Sequence, residues 1–149
     1  MRLLHRLARA DSGSAIAELA IIAPLLLILI IGMIEVGRFA QYSILVANAA
    51  RSGAQYGAQN LGTAADFAGM QAAATADGQN TPGLSATAIQ YCRCADGTAS
   101  TCLPADCSTS HRLVFVQVDA TGTFQSILHF PYVPTSQTIT SRSAMRVAE

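Results

Sequence analysis

The chain has 149 residues, of which 51% are hydrophobic and only 12% are charged, and its nine basic residues balance nine acidic ones. A typical globular domain carries about 25% charged residues, so this composition excludes a disordered chain, which needs many charges and few apolar side chains. It also excludes a nucleic-acid binder, because no basic tract is present to neutralise phosphates. Lysine is absent, which rules out Schiff-base chemistry and a P-loop lysine.

The first predicted element is an apolar helix over residues 14–34, in which Glu18 is the one charged residue. Twenty-one helical residues span about 31 Å, close to the roughly 30 Å hydrocarbon core of a bilayer. The run is longer than the apolar region of a secretory signal peptide and ends without a small-residue cleavage site. We therefore predict a helix that crosses a membrane.

Three arginines precede this helix, Arg2, Arg6 and Arg9. The positive-inside rule places them in the cytoplasm and the remainder of the chain outside it. The predicted organisation is a cytoplasmic leader over 1–13, a transmembrane helix over 14–36 and an extracytoplasmic domain over 37–149.

Glu18 is costly inside the membrane unless its charge is compensated. It either extends to the headgroups or finds a cationic partner. A cut between Gly13 and Ser14 would create an α-amine four residues before Glu18, one helical turn away. Opposite charges attract strongly in a low-dielectric environment, so Ser14 and Glu18 are candidates for charge pairing within or between subunits.

Beyond the apolar run, the helical pattern continues to about residue 60, and Gly62 is the predicted stop. Glu35 and Arg38 are three residues apart at the extracytoplasmic end of the transmembrane helix, where they either form an ion pair or mark the boundary with water. The predicted inward face of this second half carries residues at helical spacing: Phe39, Tyr42, Val46, Ala49, Gly53 and Tyr56.

A short helix and a small antiparallel sheet are predicted next. Thr63 and Asp66 are arranged as a capping box, which opens a helix that runs to about Ala76. Period-2 alternation predicts three strands, Leu84–Tyr91, Leu113–Ala120 and Gln137–Val147. The fold class is therefore α+β, with a long N-terminal transmembrane helix that continues outside the membrane.

Four cysteines lie in one polar loop: Cys92, Cys94, Cys102 and Cys107. Outside the cytoplasm such thiols oxidise, so two disulfides are predicted. Three connectivities are possible, and we favour those in which Cys92 and Cys94 each bond to Cys102 or Cys107, because an adjacent Cys92–Cys94 bond is strained. A structural zinc site is the alternative, although the usual paired C-x2-C knuckles are missing.

Three sequence blocks in the first third of the chain resemble those of a known family. Gly13 followed by SAIAE and an apolar helix resembles the class III signal of type IV pilin-like proteins. The blocks GMIEVGR (32–38) and NAARSGA (48–54), together with Ala23-Pro24, resemble TadE-like minor pseudopilins of tight-adherence (Flp) pilus systems. The motifs cover roughly residues 12–57, and the remainder matches in its general pilin-like layout.

The resemblance implies a non-enzymatic minor pseudopilin of the bacterial inner membrane that primes, caps or anchors a thin pilus. It implies cleavage after Gly13 by a prepilin peptidase. The implied partners are other pseudopilins, the major Flp pilin, the inner-membrane assembly platform and membrane lipid, and the protein would be held in that membrane or incorporated into a surface pilus.

The alternative is a permanently anchored single-pass protein whose outer domain binds a partner without entering a filament. The three histidines, His5, His111 and His129, are scattered, and no catalytic or phosphate-binding motif is present in the sequence. We therefore predict no catalytic residues, no cofactor and no metal.

Overall fold

The computed structural model of the protein describes residues 11–127 and 134–148. Leader residues 1–10, with His5, and also His129 lie outside the described residues. Along the described chain, the helices are α1 (Asp11–Gly57), α2 (Leu61–Ala64) and α3 (Phe67–Asp77), with a 3-10 turn at Pro104–Asp106. The strands are β1 (Ser85–Cys94), β2 (Ala99–Ser100), β3 (Arg112–Gln125) and β4 (Ser136–Arg146).

The chain divides into two compact units, with the boundary between Arg38 and Phe39 inside helix α1. In the first unit, apolar side chains are exposed around the helix: Ile21 is 78% exposed, Leu25 59% and Val36 68%. By length and composition this helix is a candidate membrane span, and no part of its most apolar 18-residue stretch is buried. Pro24 lies inside the helix without ending it.

In the second unit, the remainder of α1 packs against a sheet through a stripe of small residues. The stripe confirms the predicted inward face from Val46 onward, and its buried members are Val46, Ala49, Ala50, Gly53, Ala54 and Gly57. A Cβ added at Gly53 would lie 2.7 Å from the carbonyl oxygen of Met70 and 3.1 Å from Cγ1 of Val118. Glycine is therefore needed here because helix and sheet approach closely.

Helix α1 ends at Gly57, three residues earlier than predicted, and Gly62 lies within α2 instead of ending α1. The reason is Asn60, which caps α2 and whose Oδ1 accepts hydrogen bonds from the backbone N–H groups of Gly62 (2.8 Å) and Thr63 (3.0 Å). Thr63 completes this box, because its Oγ1 accepts the N–H of Asn60 at 3.1 Å. The predicted capping box at Thr63 and Asp66 is therefore wrong.

Asp66 instead caps the following helix, where its Oδ1 accepts the N–H of Gly69 at 2.9 Å. The predicted helix is thus divided in two, α2 and α3. Helix α3 buries Met70 and Ala74 against the rest of the second unit.

The sheet is antiparallel with strand order β2-β1-β3-β4. All three predicted strands are present, although β3 extends to Gln125, five residues beyond its predicted end. The short strand β2 was not predicted, because two residues carry no recognisable alternation. The pilin-like α+β layout is confirmed.

The core lies between the helices and one face of the sheet. Alternate residues of β3 are buried as predicted, Val114, Val116, Val118 and Ala120. Where α1 enters the second unit, Phe124 lies edge-on to the rings of Phe39 and Tyr42, with ring centroids 5.5 and 5.7 Å apart.

Candidate functional sites: the processing segment and the disulfide-stapled loop

The predicted processing segment lies at the beginning of the described chain. Gly13, Ser14 and Glu18 are all within helix α1, so Ser14 and Glu18 are separated by one helical turn. This is the separation that the charge-pairing hypothesis requires. Cleavage after Gly13, and the pairing itself, stay predictions.

Glu35 and Arg38 form an ion pair one turn apart on α1. Nη1 of Arg38 donates to Oε2 of Glu35 at 2.7 Å, and the side chains are 37% and 18% exposed, respectively. The structure therefore supports the first of the two interpretations of these residues, an ion pair. Because exposed i,i+3 pairs contribute only about 0.2–0.5 kcal/mol to a helix, this pair adds little stability, and its position at a membrane boundary stays a prediction.

The four cysteines form two disulfides, Cys92–Cys102 and Cys94–Cys107, with Cα–Cα distances of 5.1 and 5.5 Å. Both bonds join the end of β1 to the loop that follows it. Since every sulfur is consumed, the zinc alternative is not supported. We use the name stapled loop for residues 95–111.

One exposed carboxylate, that of Asp106, organises the stapled loop. Oδ2 of Asp106 accepts hydrogen bonds from the backbone N–H of Thr101 (2.6 Å), the hydroxyl of Thr101 (2.7 Å) and the hydroxyl of Ser100 (3.0 Å). These bonds, with the Thr101 hydroxyl contributing most, lower the pKa of Asp106 below its ordinary value. Nη1 of Arg112 also donates to the carbonyl of Cys102.

A second carboxylate supports the turn between β1 and β2. Oδ1 of Asp96 accepts the N–H of Thr98 at 2.9 Å and its hydroxyl at 2.7 Å, and these bonds lower the pKa of Asp96. Gly97 adopts φ of +90° in this turn, a conformation that glycine tolerates best. The loop is thus held by two covalent bonds and by the carboxylates of Asp96 and Asp106, an arrangement that presents a fixed surface.

The outer face of the sheet, opposite the helices, holds two side-chain pairs that the sequence reasoning missed. The rings of Tyr91 and Phe115 stack with centroids 5.3 Å apart. Arg142 donates from Nε and Nη2 to the two oxygens of Asp119, at 2.7 and 2.9 Å. Their outward positions in the alternating pattern were available from the sequence, but the strand register that places them side by side was not.

The Asp119–Arg142 pair also shifts both titrations. The bond from Arg142 lowers the pKa of Asp119 and, reciprocally, raises the pKa of Arg142. Both oxygens of Asp119 accept hydrogen bonds from Arg142, and Oδ2 of Asp106 accepts several from the stapled loop. These carboxylates therefore act as structural hydrogen-bond acceptors.

Comparison with known proteins gives one result that bears on function. The family model described as TadE-like protein matches residues 13–55. No curated protein and no solved structure matches the chain. The match confirms the resemblance over the segment that carries the three sequence blocks, and is consistent with a TadE-like protein of Tad/Flp pilus systems.

Proposed function

We propose that the protein is a minor pseudopilin, a membrane-anchored structural component that helps to assemble a Tad/Flp-type pilus. The observation that carries this proposal is that the bounds of the family match nearly coincide with those of helix α1. The TadE-like match over residues 13–55 covers nearly all of helix α1, which includes the candidate membrane span and the small-residue stripe that anchors the sheet. The matched segment therefore joins an anchor to a folded unit.

The two disulfides support an extracytoplasmic position for the folded unit, because such bonds persist in oxidising compartments. With the arginine-bearing leader in the cytoplasm, the chain is a single-pass protein of the bacterial inner membrane. The cysteines form disulfides, and four carboxylates of the second unit accept hydrogen bonds that support local structure, those of Asp66, Asp96, Asp106 and Asp119. This agrees with a role in assembly.

In the proposed pathway, a prepilin peptidase cuts after Gly13, and Glu18 pairs with the new amine of Ser14 on the same or a neighbouring subunit. The processed protein then meets other pseudopilins, the major pilin and the membrane platform. It primes, caps or anchors the pilus.

The mass of the membrane-extracted protein tests this proposal directly. In cells with the cognate peptidase, we expect a product that begins at Ser14, whereas Gly13→Leu leaves the leader attached. Gly32→Ala is the matched control, since no atom lies within 4 Å of a Cβ added there, and its product should also begin at Ser14.

Surface filaments in a deletion strain provide the second measurement. We expect filaments to be lost and to return with the wild-type gene but not with Gly13→Leu. If the intact Met1 form is the only product and filaments persist without the gene, the protein is a permanently anchored partner-binding protein instead.

A further inference from the structure

The outer face of the sheet, opposite the helices of the second unit, carries an excess of positive charge. Its described charged residues are three arginines and one carboxylate, Arg93, Arg142, Arg146 and Asp119. Arg142 and Asp119 bind each other, so the excess comes from Arg93 and Arg146. The other described charges of the second unit are two arginines and four carboxylates, so positive charge is concentrated on this one face.

Two stacked rings lie between these two arginines. Tyr91 of β1 pairs with Phe115 of β3, and Arg146 of β4 lies opposite Phe115 in the same row. The ring centroids are 5.3 Å apart and the ring planes differ by 10°, so the rings form one flat apolar surface. Arg93 follows Tyr91 on the same face of β1, about 7 Å further along the strand.

Ile89 enlarges the apolar centre. It precedes Tyr91 by two residues on the same face and is 50% exposed, whereas the core of the second unit lies on the opposite face of the sheet. Ile89 therefore contributes little to that core. An apolar surface with a polar rim is typical of a protein interaction site, and we use the name arginine–aromatic patch for Ile89, Tyr91, Arg93, Phe115 and Arg146.

The composition of this patch favours a polypeptide as its partner. Aromatic residues and arginine are enriched at protein interfaces, and tyrosine and arginine often dominate the binding energy. A guanidinium group binds a carboxylate through two parallel hydrogen bonds. A complementary partner therefore places Asp or Glu around an apolar side chain.

Partners rich in phosphate fit the patch less well. Nucleic-acid binding requires many basic residues to neutralise successive phosphates, and anionic membrane surfaces are recognised by clusters of about four to eight Lys or Arg. The patch instead offers two arginines, Arg93 and Arg146, on the two sides of an apolar centre. Charge and apolar surface together select an acidic protein segment.

We infer that the arginine–aromatic patch is a docking surface for a partner protein whose contact segment carries carboxylates around an apolar side chain. The apolar side chain packs on Ile89 and the two rings, and the carboxylates bind Arg93 and Arg146. The Cα atoms of these arginines are two strands and two residues apart, a diagonal of about 12 Å. Two carboxylates seven residues apart on a helix, at about 10.5 Å, match this span.

The inference goes beyond the proposed pilus role. It uses only residues of the second unit, and it applies equally to a permanently anchored protein whose outer domain binds a partner.

Photo-crosslinking of the full chain, in the cells from which its gene comes, tests the inference. With p-benzoyl-phenylalanine in place of Ile89, we expect a link to another polypeptide, in a peptide with more Asp and Glu than Lys and Arg. The same group in place of Ala76, which is exposed on α3, should not link to that peptide. No link from Ile89, a link to a peptide without an acidic excess, or a link to lipid, glycan, nucleic acid or a second copy of this chain would overturn the inference.

Removal of one charge at a time supplies the matched comparison. Arg93→Gln and Arg146→Gln should each reduce the linked fraction about tenfold, the effect of roughly 1.4 kcal/mol. Arg51→Gln removes an equal charge from an exposed position on α1, away from the sheet's outer face, and should leave the linked fraction within about twofold. Equal linked fractions for the three variants would defeat the inference. Both disulfides, verified by mass without reductant, show that each variant is folded.

A synthetic copy of the linked peptide separates binding from a purely structural role of the patch. Titrated into the purified full chain in detergent, it should bind at least tenfold more tightly than a copy in which Asp and Glu are replaced with Asn and Gln. Its affinity should fall as salt is raised, because salt screens exposed charges. Equal affinities of the two peptides would mean that the carboxylates are not recognised, and the inference would be wrong.

Leader processing is measured on the same cell extracts. Protein that keeps its leader and still gives links that depend on Arg93 contradicts the pilus proposal alone. Protein that is processed at Gly13 and gives no links contradicts the docking surface alone.

Discussion

The two units of the chain use apolar residues in opposite ways. Up to Arg38, helix α1 exposes large side chains in every direction, including Leu26, Ile28 and Ile30 at 47–58%. From Phe39 onward, its buried stripe consists of small residues apart from Val46, and the other large residues of the core come from the sheet, from α3 and from Val147 after β4. The first unit thus presents its apolar side chains outward, as expected of a candidate membrane span, whereas the second unit buries its apolar side chains in its own interior. The same change should therefore damage the two units differently.

The largest contrast is expected from a carboxylate placed in each half of α1. Val46 is fully buried, and Val46→Asp should unfold the second unit, since an unpaired buried charge costs several kcal/mol. Leu27→Asp should leave the unfolding transition of that unit unchanged, but should weaken membrane retention, at a cost of about 2.5–3.5 kcal/mol. Thermal unfolding and carbonate extraction measure the two effects, and identical behaviour of the variants would contradict the division into units.

Removal of a disulfide should come next in size. Replacing Cys94 and Cys107 with serine opens a loop whose ends are 13 residues apart and should destabilise the second unit by about 3 kcal/mol. Denaturant unfolding in detergent measures this change, and membrane retention serves as the control because the first unit has no part in the loop. A variant as stable as the wild type would show that the remaining Cys92–Cys102 bond, with Asp96 and Asp106, holds the loop without the second disulfide.

A methyl group at the closest helix–sheet contact should have a smaller effect. Gly53→Ala places a Cβ against the Met70 carbonyl, which cannot yield without moving helix α3, and we expect a loss of about 1–3 kcal/mol. Gly37→Ala is the control in the first unit, where nothing lies within 4 Å of the added carbon. Equal unfolding midpoints for the two variants would contradict the close packing.

Acid should produce the smallest change in the stability of the second unit. The pKa of Asp106 is lower in the folded protein, so its contribution to stability is present above the ordinary Asp pKa of about 3.9 and is lost as the pH falls through the lower folded value. The unfolding midpoint of Asp106→Asn should therefore depend less on pH below about 4 than that of the wild type.

The elements that sequence predicted best are those whose signal is local. The apolar run of α1 and the alternation of β3 need no knowledge of the remaining chain, and both are present. The sequence analysis placed the helix cap at Thr63, whereas Asn60 caps α2 and Asp66 caps α3. The end of α1, which decides the matter, depends on packing between Gly57 and Met70.

The candidate sites divide in the same way. The positions of Gly13, Glu18 and the four cysteines were readable from spacing, and the family match covers the segment that contains the first two. The disulfide connectivity was not readable, since it depends on how the stapled loop folds back onto the end of β1. The Asp119–Arg142 pair depends on the register of β3 and β4, which brings together two residues 23 positions apart in sequence.

The two disulfides cross in sequence order, because Cys94 lies between the ends of the first bond and Cys102 between the ends of the second. In the proposed topology the leader stays in the cytoplasm and the second unit crosses the membrane in chain order, so Cys92 and Cys94 would meet oxidants before Cys102 and Cys107 have emerged. Joining these two early would block both native bonds at once. Under the proposed topology, correct maturation therefore favours a delay in oxidation until Cys107 has emerged, or an enzyme that reshuffles the first bond.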